Sequence, residues 1–234
     1  MKRTLLIALL GICSFGTFAQ KYVGGDISLL PKYEQAGAQY YEQNGKAIAS
    51  PLTFFKEQGM NAMRLRLFVD PSKNTGVDKD ANIDYDIIGL SYYPYFHGAI
   101  SELEGAINLL EKDYADKDIM IVEFGYPYAW AVGGTTYNYT SKYPYSDKGQ
   151  KAITADLITM LNKHQHVNGL FWWWMEYNAK DSKLSESWYN APLFDSRTGR
   201  ATSALYELKN FVGDATGIAH ITADNAHVNN QWYT

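Results

Sequence analysis

Short apolar runs alternate with longer amphipathic stretches along the chain, and each apolar run ends in polar or aromatic residues. Ser50-Pro51 ahead of Leu52 to Gln58 predicts a helix with a serine cap and a proline in its first turn. Gly59 stops it, and Asn61 to Leu67 follows as a strand. Ile87 to Ser91 is a second strand, leading into Tyr92-Tyr93-Pro94. Ser101 to Tyr114 carries helical periodicity, with Leu103, Ile107 and Leu110 along one face. Ile119 to Val122 is a continuous apolar run, the pattern of a strand buried on both faces. Ala152 to Asn162 is predicted helical, and Gly169 to Trp173 is the last strong strand.

Helices alternating with wholly apolar strands indicate parallel βα units, and hence an α/β fold of the TIM-barrel kind. In such a barrel the chemistry sits at the C-terminal ends of the strands. Arg66, Ser91-Tyr92-Tyr93, Glu123 and Trp173-Trp174 all fall at those ends.

The termini read differently. Met1-Lys2-Arg3 is basic, Thr4 to Phe18 is largely apolar, and Thr17-Phe18-Ala19 places small residues before Gln20. That order predicts a secretory signal peptide over residues 1–19, cleaved near Ala19, and an exported product: secreted, periplasmic or at a bacterial cell surface. The run is too short for a membrane span. Residues 20–211 form the expected (β/α)-barrel domain. Residues 212–234 read as a linker and the start of a truncated C-terminal module.

Composition sharpens this. Cys13, the one cysteine, lies in the predicted signal peptide, so no disulfide, thiolate zinc site or thiol nucleophile is expected in the mature chain. The net charge of −4 argues against a nucleic-acid partner. The chain holds 19 Tyr and 6 Trp, flat amphipathic rings of the kind that suit sugars.

Glu123 is the residue that most demands a chemical reason. It follows the apolar run directly and precedes Phe124-Gly125-Tyr126-Pro127, where desolvating a carboxylate is costly. Arg66 could hold it ionised through a charge-assisted hydrogen bond. Arg64, two positions earlier, points to the same side of its strand as Arg66.

Gly24 to Ser28, Arg64-Leu65-Arg66, Gly89 to Gly98 and Ile121 to Pro127 resemble successive blocks of the arabinogalactan endo-β-1,4-galactanases, glycoside hydrolase family 53. The resemblance runs from about Tyr22 to about Phe211 and implies a (β/α)8 barrel and a retaining glycosidase. It implies that Glu123 is the nucleophile, Arg66 its support and Trp173 the floor of the central sugar subsite. Ser91, Tyr93 and His97 would lie in the cleft. The loop from Tyr126 to Gln150 has two readings: it lines sugar subsites, through Tyr126 and Trp130 among others, or covers the barrel with its own aromatic cluster; its place after the strand of Glu123 favours the first. The implied partner is galactan or arabinogalactan from pectin; no cofactor or metal is expected.

A retaining glycosidase needs two carboxyl groups roughly 5–5.5 Å apart. The family takes its acid/base from a Gly-Asn-Glu block on the fourth strand, preceded by an Asp-Phe-His-Tyr block on the third. Neither occurs in this sequence. The chain passes from the end of the second strand to the approach to the sixth, with the junction near Asp80-Ala81. The barrel is therefore expected to be incomplete, with units three to five missing. Glu176 is the best placed substitute by sequence, followed by Asp70, Asp84, Asp86 and Glu186, and each is expected to be a solvated loop carboxylate. His164 and His166 read as exposed helix-end residues rather than a zinc site. Two readings of function follow: a galactan hydrolase, or a non-catalytic relative that binds galactan weakly. A barrel glycosidase acting on cellulose or mannan is disfavoured by the Ser91 to Gly98 block.

Overall fold

The computed structural model describes residues 20–64, 87–178 and 191–212. In chain order these form β1 (Tyr22–Asp26), α1 (Leu30–Gln35), α2 (Pro51–Glu57), β2 (Ala62–Arg64), β3 (Ile87–Tyr92), α3 (Pro94–His97), α4 (Ile100–Asp113), β4 (Asp118–Phe124), α5 (Asp147–Leu161), β5 (Val167–Trp172), α6 (Ser203–Glu207) and a 3-10 turn, Leu208–Phe211. The predicted signal peptide, the Asp80-Ala81 junction and residues 213–234 lie outside the described residues.

All strand pairings are parallel, and the sheet order is β2-β1-β5-β4-β3. The last strand thus pairs with the first, the wrap-around that closes a barrel. Removing strands three, four and five from an eight-stranded barrel gives this same order. Among the described residues, β2 and β3 each keep one edge without a strand partner.

Local chemistry explains the elements. Ser50 caps α2 through its Oγ, which accepts from the Thr53 N–H, and Pro51 opens the helix as predicted. Gly59 ends it at φ 88°, a left-handed conformation that glycine adopts without strain. Asn61 then stitches β2 to β1: its side chain accepts from the Val23 N–H and donates to the Lys21 carbonyl, both at 2.8 Å. Leu103 and Ile107 seat α4, while Ile153, Leu157, Ile158 and Leu161 seat α5. Gln150, fully buried, ties the loop after β4 to the segment after β5 by donating to the Tyr126 and Pro192 carbonyls at 2.8 and 2.9 Å.

β4 is not buried on both faces. Its burial alternates: Ile119, Ile121 and Phe124 are enclosed, while Met120 and Val122 on the opposite face are only half covered. Among the described residues no strand lies across that concave face to enclose it. The strand buried throughout is β5. His164 also departs from expectation: it is buried, and its Nδ1 lies 2.9 Å from Glu111 Oε2, joining the ends of α4 and α5.

β1 owes its place to two glycines. A Cβ on Gly24 would collide with the Ala62 carbonyl oxygen of β2, and one on Gly25 would lie 2.6 Å from Met175 Cβ. The close approach on both sides is therefore specific to glycine. Gly24→Ala should cost about 1–3 kcal/mol through overpacking, seen as a fall of several degrees in the thermal midpoint. Gly105→Ala, in the exposed middle of α4 with open space around it, should instead gain about 0.5–1 kcal/mol by the usual helical preference.

Candidate active site

The site lies at the C-terminal ends of the strands and is assembled from all five. β4 delivers Glu123, which stands in register with Ser91 of β3 across a bulge between Leu90 and Ser91. β2 delivers Arg64, whose Nη1 donates to Glu123 Oε1 at 2.9 Å. Tyr93, just past β3, donates its hydroxyl to the other carboxylate oxygen, Oε2, at 3.1 Å. Each oxygen of Glu123 thus has its own donor, which fixes the plane of the carboxylate. Arg64 and Glu123 stay partly exposed, at 27% and 23%, so the pair is open to a ligand.

Tyr93 is held in place by its neighbours. It caps α3 in an extended conformation, and its backbone N–H donates to His97 Nδ1 at 3.0 Å. That bond makes Nε2 the protonated nitrogen of neutral His97 and leaves it directed away from the cap. The Trp173 ring meets Tyr93 edge to face at 6.0 Å. Burial pushes the Tyr93 hydroxyl far above the usual phenol range, and the Glu123 carboxylate beside it pushes the same way. Tyr93 therefore remains a protonated donor at any working pH.

Trp173 follows β5, its backbone N–H donating to the Phe124 carbonyl at 2.8 Å. Its ring stacks on Trp174 at 4.2 Å. Trp174 has φ 53°, a left-handed conformation that is strained for a bulky side chain and clusters at functional sites. The turn it makes lets two consecutive indoles lie face to face.

The remaining expectations divide. Ser91 and His97 are exposed at the rim. Arg66 lies outside the described residues, as do Asp70, Asp84, Asp86 and Glu186; among the described residues Arg64 is the arginine that meets Glu123. Tyr126 does not present a face to a ligand. It is 1% exposed, its hydroxyl donates to the Tyr143 carbonyl, and its ring braces Tyr95 and Tyr145. Tyr128 is likewise buried against Ser196, whereas Trp130 is 36% exposed.

Glu176 is no solvated loop carboxylate. It is fully buried, and its Oε1 accepts from the Leu29 N–H at the start of α1 while its backbone carbonyl accepts from Tyr40. The polar residue that the sequence did not single out is Asp26, at the end of β1. It is also fully buried, with Oδ2 3.7 Å from Arg64 Nη1. Its signal was present in the Gly24 to Ser28 block, as an acid directly after a strand.

The sequence model of Glycosyl hydrolase family 53 matches residues 22–83 and 75–208, two pieces that overlap where the junction was expected. The arabinogalactan endo-β-1,4-galactanase of Cellvibrio japonicus is 30% identical over 186 residues, 72% of this chain and 45% of the relative. A probable arabinogalactan endo-β-1,4-galactanase A of Neosartorya fischeri is 26% identical over 157 residues, covering 64% and 42%. The chain thus spans less than half the length of these curated relatives. Among solved structures, a fungal β-1,4-galactanase superposes with TM-score 0.64 at 16% identity, covering 82% of this chain and 100% of the other. The Ignisphaera aggregans GH53 catalytic domain gives 0.62 at 18% identity, covering 83% and 96%. The fold is that of a (β/α)8 barrel in partial form, and the chain belongs to glycosyl hydrolase family 53.

Proposed function

We propose that the site is the nucleophile half of a retaining endo-β-1,4-galactanase acting on galactan side chains of pectin, in an exported protein. The observation that carries this is the clamp on Glu123, with a donor on each carboxylate oxygen among the described residues, beside the half-buried ring of Trp173. A carboxylate oriented in this way suits in-line attack on an anomeric carbon. The C1–O bond to the leaving sugar breaks as the bond from Glu123 to C1 forms, and water then displaces the carboxylate. Trp173 offers an apolar face for the sugar ring, and Tyr93 and Arg64 hold the nucleophile through both steps. The galactanase relatives support galactan as the substrate class.

One observation favours a second reading, that of a weak galactan binder. A retaining mechanism also needs an acid to protonate the leaving oxygen, a contribution of about 10²–10⁴ in rate. Among the described residues, the carboxylates nearest the end of β1 and the end of β5, Asp26 and Glu176, are both fully buried.

Reducing-sugar release from potato galactan by the purified chain separates the two. The enzyme reading expects release that Glu123→Gln abolishes. A folded wild-type chain that releases nothing, yet is retarded in galactan-containing gels, establishes the binder instead. Tyr93→Phe, which removes a hydrogen bond to a charged acceptor worth about 1.5–3 kcal/mol, should lower turnover roughly ten- to a hundredfold. Trp173→Ala should raise KM several-fold with a smaller change in kcat, because the indole contacts the ring in ground and transition states alike.

A further inference from the structure

Asp26 is an acidic side chain with no access to solvent. A fully buried carboxylate is costly unless it is paired or hydrogen-bonded to purpose. Its Oδ1 accepts from the Ser28 N–H at 3.1 Å, the local turn that follows β1. Oδ2 lies toward Arg64 Nη1, the same nitrogen that donates to Glu123 Oε1. The strands reinforce this: Asp26 and Arg64 are register partners, and the Ile27 N–H donates to the Arg64 carbonyl at 3.1 Å. Arg64 thus meets β1 at its backbone, and Asp26 and Glu123 at its guanidinium. Nη1 also reaches the Val122 carbonyl at 3.4 Å.

We infer that Asp26 is a positioning residue, which holds the Arg64 guanidinium in the orientation that presents Nη1 to Glu123. The inference rests on Glu123 being the nucleophile. Two effects of Asp26 on Glu123 oppose each other, and their signs differ. As a second negative charge, Asp26 disfavours ionised Glu123 directly; by holding Arg64 in place, it favours it. If positioning dominates, removing the charge of Asp26 weakens Glu123 as a nucleophile. If the direct charge dominates, removal strengthens it.

Asp26→Asn isolates the charge, because the amide oxygen can still accept from Ser28. The probe is 2,4-dinitrophenyl 2-deoxy-2-fluoro-β-galactoside, whose leaving group departs as the phenolate without a proton from the protein. Attack breaks the bond from C1 to the dinitrophenolate oxygen and leaves a fluorogalactosyl ester on Glu123, read as a mass increase of the full chain against pH. In Asp26→Asn, labelling should be at least tenfold slower, with the acidic limb of the rate profile displaced to higher pH. Arg64→Lys should also be slow, and adding Asp26→Asn to it should cause no further loss, because the two act through one contact. Should Asp26→Asn fail to fold, Asp26→Ser retains a turn acceptor and is read in the same way. Equal or faster labelling of the Asp26 variant, an acidic limb displaced to lower pH, or additive losses in the double variant overturns the positioning role alone. An unlabelled wild-type chain, or labelling that survives Glu123→Gln, overturns the nucleophile assignment and this inference with it.

Discussion

The hydrogen bond from Arg64 to Glu123 joins two strands that are not neighbours. Arg64 is on β2 and Glu123 on β4, with β1 and β5 between them in the sheet. Neighbouring strands lie about 4.8 Å apart, so three steps across a flat sheet come to roughly 14 Å. On a flat surface the two side chains would have to lie outstretched toward each other to close that span to 2.9 Å. The curvature of a barrel wall removes that demand by bringing the strand ends together. Trp173, after β5, comes within reach of Tyr93, after β3, by the same convergence.

That convergence has local causes at β1. With glycine at 24 and 25, the strand can sit against the Ala62 carbonyl on one side and against Met175 on the other. The register that follows pairs Asp26 with Arg64. A buried acid at the strand end, beside an arginine that leans over the concave face, then converts backbone pairing into side-chain orientation. The site is thereby tied to the sheet rather than to loops, which suits groups that must be held to a fraction of an ångström.

The elements with apolar periodicity were legible in the sequence. β3, β4, β5, α2, α4 and α5 fall where the runs of Ile, Leu, Val and Phe place them. β1 was visible only as a motif, since Gly24-Gly25 carries no side chain for periodicity to register. Glu123 stood out because a carboxylate ended an apolar run. The contact of Arg64 with it was less legible, because Arg64 and Arg66 share one side of a strand and parity cannot choose between them. Burial of polar residues was the least legible feature. Glu176 and His164 look like surface residues by type, yet one serves the N–H at the start of α1 and the other meets Glu111 between two helix ends. Such burial is decided by a distant partner, which local sequence does not display. Tyr126 differs for a related reason. Its position after β4 predicts a cleft residue, but its hydroxyl donates to the carbonyl of Tyr143, far along the same loop.

The chemistry of the site is therefore divided unevenly among its strands. Among the described residues, the groups gathered around Glu123 come from four strands: the acid beside Arg64 from β1, the guanidinium from β2, the phenol from the end of β3 and the carboxylate itself from β4. Protonation of the leaving group belongs, by the family pattern, to a strand between the second and the sixth. How much this matters depends on the leaving group. A sugar hydroxyl is a poor one and needs the proton; an activated phenolate does not. On the proposed function, the attack half and the protonation half of the reaction are thus separable. An arrangement that keeps Glu123 clamped by two donors remains organised for the first, whatever its capacity for the second.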